Sequence, residues 1–367
     1  MNFRVTRAPI RGKDMQKSAI TAAAIIAFAV ASPAHAVEEV KFTLASGLPS
    51  VSAGTGELIN VFIPEVDKRL AAKGNYKMVW TTGWGGAIAN QFELFEAVED
   101  GLADGGYINT LFEGAKLPME QITYVTPFGA EDLDATLAVF AELRGIMPQM
   151  DAAYIKHNQI RKGVYGLTTY HFETTFPIKT LADINGRKFG TPGLAANWIK
   201  NTGAISVAGS LSQYYNSLKT GVYDGIVIFE SGIAPFKFYE VAPIITKVGI
   251  GSMIASNLTF NKDKWNSLPA EVRDVFEDVS KVWEKASKDR GQHDAATSLK
   301  IAVENGATVS ELPREEVVKL ANAIPNIAKE WAKQVDDKGL PGTKLLTTYM
   351  DLWRARGVNH ARAWDKE

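Results

Sequence analysis

Apolar and polar residues alternate from Val40 to Leu44, the period of a strand that turns one face to a core. The Ser- and Gly-rich stretch from Gly47 to Gly56 reads as a loop entering a helix over about Glu57 to Ala72. That helix ends at Lys73-Gly74, and Lys77 to Thr81 reads as the next strand. Strand, loop, helix, strand is the opening of an α/β domain with a largely parallel sheet. Much later, Val272, Val275, Phe276, Val279, Val282 and Ala286 recur at helical spacing, which predicts one helix from about Pro269 to Asn305 with Gly291 its only weak point. At about 1.5 Å per residue it would run ~55 Å, long enough to lie across two lobes. Residues 314–335 and 342–356 carry shorter amphipathic patterns, so the C-terminal third is expected to be mostly helical.

The chain also matches itself. Phe95, Val98, Gly101, Asp104 and Gly105 are answered by Tyr215, Leu218, Gly221, Asp224 and Gly225, each 120 residues on. Each copy reads as a helix closed by a glycine and followed by a strand, the glycine taking the left-handed residue past the helix end. A constant offset over the whole pattern predicts two similar α/β lobes.

The first 36 residues change the picture of where the chain works. Arg4, Arg7, Arg11, Lys13 and Lys17 precede an apolar run from Ala19 to Ala31, and Ala34-His35-Ala36 follows. This is the order of a cleavable secretory leader, with Met15 a possible internal start, and the run is short of the roughly 20 residues of a membrane span. Without residues 1–36 the chain has 35 Lys and Arg against 40 Asp and Glu. A mildly acidic chain with no basic block is unsuited to nucleic acid or an anionic membrane surface. It has no cysteine, hence no disulfide and no thiolate chemistry, and must be held by core burial, for which 46% apolar residues suffice.

Catalytic patterns are poorly represented. His157, His171, His293 and His360 show no metal-ligand spacing, and there is no nucleophile elbow, P-loop or dinucleotide fingerprint. Gly83-Trp84-Gly85-Gly86 and Gly203 to Gly209 read as turns, and Glu93 with Glu96 and Glu315 with Glu316 as solvated surface charges. No cofactor, metal or enzymatic activity is expected. Trp80, Trp84, Tyr107, Tyr170, Phe172, Tyr214, Tyr215 and Phe229 fall at or near strand ends and loops. Ligands of open α/β sheets bind outside the carboxyl ends of the strands, so these aromatics are candidates for a cleft.

Ser212-x-x-Tyr215-x-x-Leu218-x-x-Gly221-x-x-Asp224-Gly225, followed by Lys237-Phe238-Tyr239-Glu240-Val241, resembles the solute-binding proteins of tripartite ATP-independent periplasmic (TRAP) transporters, of the C4-dicarboxylate-binding type. Glu93 to Asp104, Pro177 to Lys188 and Asn261 to Pro269 carry the resemblance over most of the chain. It implies a two-lobed α/β periplasmic binding protein fold, with a long helix spanning both lobes and a helical C-terminus. Residues 37–165 with about 252–290 would form lobe I, and 166–251 with part of the C-terminal helices lobe II. Residues 269–305 would be the connecting helix and 306–367 the C-terminal helices. The implied role is a periplasmic receptor that closes on a small organic acid and delivers it to the small and large membrane subunits of a permease, touching the membrane only through them. A binding protein serving a membrane sensor, or an enzyme on the same scaffold, is the alternative.

Three departures bear on the ligand. Where the family's carboxylate-clamping arginine stands, this chain has Gly190; a second common arginine aligns with Tyr170, and a common asparagine with Ile228. A guanidinium makes two parallel charge-assisted hydrogen bonds to a carboxylate, and glycine offers only backbone. The cleft is therefore expected to take a bulkier, more apolar solute that still bears a carboxylate. Its expected contacts are Trp84, Asn90, Gln91, Asn109, Tyr170, His171, Gly190, Thr191, Leu211, Tyr215, Ile228 and Phe229, with His171, Lys179 or Arg187 as stand-in cations. The leader should be cut between Ala36 and Val37. Intact mass of protein secreted by its own host checks this, and a mature mass retaining residues 18–36 is the contrary result.

Overall fold

The computed structural model describes residues 37–367; the leader expected at 1–36 lies outside the described residues. Two mixed sheets carry the fold. The first contains β1 (Glu38–Ser46), β2 (Tyr76–Gly83), β3 (Gly105–Asn109), β4 (Gln159–Leu167) and, returning late in the chain, β10 (Met253–Asn261). The second contains β5 (Tyr170–Thr174), β6 (Lys188–Thr191), β7 (Ile205–Ala208), β8 (Gly225–Phe229), β9 (Ile244–Lys247) and β11 (Thr308–Glu311). Their orders are β2-β1-β3-β10-β4 and β7-β6-β8-β5-β9-β11.

Laid side by side the sheets have the same polarity. β1 runs parallel to β2 and β3 as β6 does to β7 and β8, and β10 is antiparallel to β3 and β4 as β5 is to β8 and β9. The sequence pattern suggested mostly parallel sheets. They are mixed because β5 and β10 each enter from the opposite sheet and so run against their neighbours.

The repeat found in the sequence is the joint of each sheet. Helices Leu94–Glu99 and Leu211–Lys219 are each followed by a left-handed glycine, Gly101 at φ 78° and Gly221 at φ 73°. The aspartate three residues on then fastens the new strand to the first one. Asp104 Oδ2 accepts from the Thr43 N–H at 2.7 Å, the Asp104 N–H donates to the Thr43 carbonyl, and its carbonyl accepts from Asn261. Asp224 Oδ2 accepts from the Lys188 N–H at 2.8 Å, the Asp224 N–H donates to the Lys188 carbonyl, and its carbonyl accepts from Thr175.

In the first lobe Leu58, Phe62, Val66 and Leu70 are spaced four apart and fully buried, one stripe of a helix that starts at Ala53 rather than Glu57 and runs to Lys73. Phe42 meets Phe276 edge-on at 5.1 Å and Phe260 at 5.8 Å, so strand, helix and returning strand share one aromatic core. Burying each such ring contributes roughly 1.5–3 kcal/mol.

The long helix is Ala270–Glu304, about 52 Å at ~1.5 Å per residue. Its first half buries Val272, Val275, Phe276, Val279 and Trp283 in the first lobe, whereas Val282, expected on that stripe, is 36% exposed. Beyond Trp283 the buried face turns to Ser287, Gly291 and Ser298. Small residues are needed there because other chain segments press in: a Cβ on Gly291 would sit 3.0 Å from the Tyr165 hydroxyl, and Ser298 Oγ accepts from the Ala234 N–H. The expected helix over 314–335 is two, Arg314–Ala323 and Ile327–Asp337, because Pro325 interrupts it. Glu316 is no surface charge: it is buried and accepts from the Leu181 N–H at 2.8 Å. The last helices are pinned by indoles, Trp331 Nε1 donating to the Pro118 carbonyl and Trp364 Nε1 to that of Pro127.

Glu173 on β5 is fully buried, neither carboxyl oxygen has a partner among the described residues, and burial holds its pKa well above the usual carboxylate range. A raised folded-state pKa means the stability present below the unfolded value is lost as pH rises toward the folded one. Glu173→Met should therefore stabilise the protein at neutral pH by about 1–3 kcal/mol, the cost of an unpaired buried polar group. It should also reduce the fall in stability above about pH 4.5, near the unfolded pKa. Denaturant melts of both proteins at several pH values check this; equal midpoints at pH 7.5 are the contrary result.

Candidate functional site

The carboxyl ends of β1, β3, β6 and β8 converge on a cavity with about 670 Å³ of empty space, its open mouth included. β1 runs on into Leu48, Val51 and Ser52; β3 ends at Asn109 with Leu111 and Phe112 just beyond; Pro192 follows β6; and Val227, Ile228 and Phe229 close β8. The strands that pass between the sheets supply the floor: Tyr165 and Leu167 from β4, Tyr170 from β5, Ala255 and Ser256 from β10. Helix Leu211–Lys219 adds Leu211 and Tyr214. Both sheets thus wall one space at the strand ends where α/β folds bind ligands.

Tyrosine dominates the wall. Tyr107, Tyr124, Tyr165, Tyr170 and Tyr214 are all buried, and burial pushes every one of these phenols above its ordinary pKa, so all five stay protonated. Tyr170 is locked by its surroundings: its hydroxyl lies 3.2 Å from that of Tyr124, and its ring meets Trp198 edge-on at 5.1 Å and Phe229 at 5.6 Å. Trp198 stacks on Tyr124 at 5.6 Å and donates to its carbonyl. The Tyr214 hydroxyl is buried with no partner among the described residues.

Of the residues expected from the sequence, Gln91, Asn109, Tyr170, Leu211, Ile228 and Phe229 line this cavity. The others lie elsewhere. Trp84 is half-buried against the first lobe's core, and Asn90 is exposed and caps its own turn by accepting from the Phe92 N–H. Thr191 is buried with its hydroxyl 2.7 Å from that of Ser206. Tyr215 donates to Glu240 at the surface; its neighbour Tyr214 takes the buried helix face with Leu218. His171 is buried off the cavity, and its Nδ1 accepts from the N–H groups of Val248 and Gly249. Burial, with Lys247 nearby, lowers its pKa to about 4, so at neutral pH it carries no charge. The other proposed cations do not line the cavity either: Arg187 stacks on Phe176, 4.4 Å from the ring centre. Ser52, Tyr124, Tyr165, Phe236 and Ser256 had no motif to mark them; only their place next to a strand end or crossing point would have.

Residues 71–334 match the family model described as bacterial extracellular solute-binding protein, family 7. The chain belongs to this family. Its members are solute-binding receptors of TRAP transport, not enzymes. A solute-binding protein of Sulfitobacter sp. is 24% identical over 217 residues, and the C4-dicarboxylate-binding periplasmic protein of Shewanella loihica is 33% identical over 162. The matched stretches cover 57% and 41% of this chain and span 63% and 44% of those relatives' lengths. Among solved structures, a Bordetella pertussis extracytoplasmic solute receptor binding pyroglutamic acid superposes with a TM-score of 0.74 at 18% identity, covering 84% of this chain and 99% of that one. A TRAP solute-binding protein of Rhodoferax ferrireducens in complex with benzoate gives 0.75 at 19% identity, over 87% and 98%. The two-lobed fold is therefore that of TRAP solute-binding proteins. Among the described residues no helix is long and apolar enough to cross a membrane, and no side-chain cluster could hold a metal.

In this family 7 protein Gly190 is filled in from behind. A Cβ there would lie 2.8 Å from two atoms of the Tyr223 ring and 3.1 Å from Ile226 Cγ2. Gly190→Ala is expected to cost about 1–3 kcal/mol by overpacking. In a Tyr223→Ala background the same change should cost little, a coupling that a double-mutant cycle on unfolding midpoints measures. Additive effects are the contrary result.

Proposed function

We propose that this protein is the extracytoplasmic receptor of a TRAP-type secondary transporter, exported by its leader to the periplasm. It captures a small organic solute between its lobes and hands it to the small and large membrane subunits of a permease. The observation that carries this reading is a cavity walled by both sheets at the crossing strands β4, β5 and β10; a change in lobe angle there is expected to open or shut it. The solute is ring-sized and more apolar than succinate, malate or fumarate. Tyr170 and Ile228 line the cavity where the resemblance places an arginine and an asparagine, and Tyr223 fills the space at Gly190. Losing a bidentate charged pair, with each such bond at about 1.5–3 kcal/mol, weakens carboxylate binding by roughly two orders of magnitude. Aromatic walls add about 0.5–1.5 kcal/mol for an edge-on or offset ring. The ring-bearing ligands of the two solved structures, pyroglutamic acid and benzoate, support a solute of this size.

Calorimetric titration should show no micromolar binding of succinate, and solution scattering should show compaction with a saturating aromatic solute. Micromolar succinate binding, or scattering curves that superimpose with and without a bound solute, would count against this reading.

A further inference from the structure

The cavity's charge balance narrows the solute further, on the footing of the receptor reading above. Among the described residues that line the cavity none is Asp, Glu, Lys, Arg or His. Its polar groups are amides, serine hydroxyls and tyrosine phenols held protonated by burial, so the wall offers hydrogen bonds and no charge.

The ionic group behind the wall does not supply the missing cation. Tyr165 lies within the field of Arg290 and Asp294, and Arg290 is shared between Asp294 at 2.8 Å and Glu57 at 3.6 Å. One guanidinium facing two carboxylates leaves no positive charge over. Burial pushes both carboxylates up while Arg290 beside them holds them down. The routes by which an arginine could enter are also shut: Tyr223 occupies the space at Gly190, and the Tyr170 hydroxyl is engaged with Tyr124. A carboxylate entering here would lose its water without meeting a cation, the case in which burying charge is most costly.

The Tyr214 hydroxyl decides between the remaining options. Tyr214 lines the cavity, and its hydroxyl is buried without a partner among the described residues, so an acceptor on the solute would satisfy it. A quaternary ammonium would suit the aromatic faces but gives that hydroxyl no acceptor. We propose that the solute binds as an uncharged aromatic molecule carrying a neutral hydrogen-bond acceptor, such as a carboxamide or ketone, rather than as the carboxylate expected from the sequence.

Matched probes test this on the full chain at pH 7.5: benzamide, benzoate and phenyltrimethylammonium, then indole-3-acetamide beside indole-3-acetate, each by calorimetry. The amide is expected to bind at least tenfold tighter than its carboxylate in the set that binds best. Val51 is on the rim and 42% exposed, so Val51→Arg adds a cation there without disturbing the core, and should shift the amide-to-acid ratio toward the acid at least threefold. A carboxylate that binds as tightly as its amide, a preference for the ammonium, no binding by any probe, or an unchanged ratio in a Val51→Arg protein with unaltered melting temperature overturns the proposal. The receptor reading fails on other observables: a bound probe that leaves the scattering unchanged, or one that is consumed on incubation.

Discussion

Each sheet depends on one aspartate that ties the strand after a helix to a strand two earlier in the chain, β3 to β1 and β8 to β6. A parallel pair has no tight turn to fix its register, and Asp104 and Asp224 supply that constraint by gripping a backbone N–H of the first strand while their own peptide groups continue the ladder. Because the grip lies at the amino end of β3 and of β8, it sets how far each strand reaches before it ends. Asn109 and Phe229 stand at those far ends, so the same bonds locate two walls of the cavity. Losing either carboxylate would free the register, and at the part-buried Thr43 it would also leave a main-chain donor without its acceptor.

Between the sheets the chain passes as extended backbone near 167–170 and 247–253, and again through the long helix from β10 to β11; the two extended passages are bonded to each other. The Ile250 N–H donates to the Tyr170 carbonyl, the Gly251 N–H to Thr169 Oγ1, and the Val248 and Gly249 N–H groups to His171 Nδ1. His171 thus serves the joint rather than the solute. Its depressed folded-state pKa means its contribution is whole above about pH 6.5, the unfolded value, and is lost as pH falls toward about 4. The long helix lies over the same joint with serine and glycine instead of branched side chains, so β4 can come close without interlocking knobs.

The strands near the N-terminus, the long helix and the paired lobes were legible because each rests on a local period or a repeated motif. Phase was harder. The repeat pairs Phe95 with Tyr215, yet Phe95 is fully buried while Tyr215 reaches the surface, since on its helix Leu218 and Tyr214 take the core face. A motif at fixed spacing does not say which of two adjacent tyrosines faces the ligand; the direction of the neighbouring strands does. Val282 failed for a related reason, the buried stripe turning where the helix leaves the first lobe. Cavity residues such as Tyr124 and Tyr165 were illegible because nothing local distinguishes a wall residue from a core one. Both are buried aromatics, and only the long-range pairing of sheets puts a void beside them.

Glycine at position 190 bears on packing as much as on recognition. With glycine at residue 190, on β6 between β7 and β8, the Tyr223 ring occupies the space a side chain would take, with its hydroxyl donating to the Ala208 carbonyl at 3.1 Å. Tyr214 then stands edge-on to Tyr223 at 5.9 Å and is tilted against Phe238 at the same distance, which fixes the ring that carries its unpaired hydroxyl. A residue that offers no charge therefore determines the polar group that replaces it, because the ring occupying its space holds the next ring. Returning a cation to position 190 would displace Tyr223 and with it the support for Tyr214, so the charged and the aromatic solutions to this site exclude each other sterically.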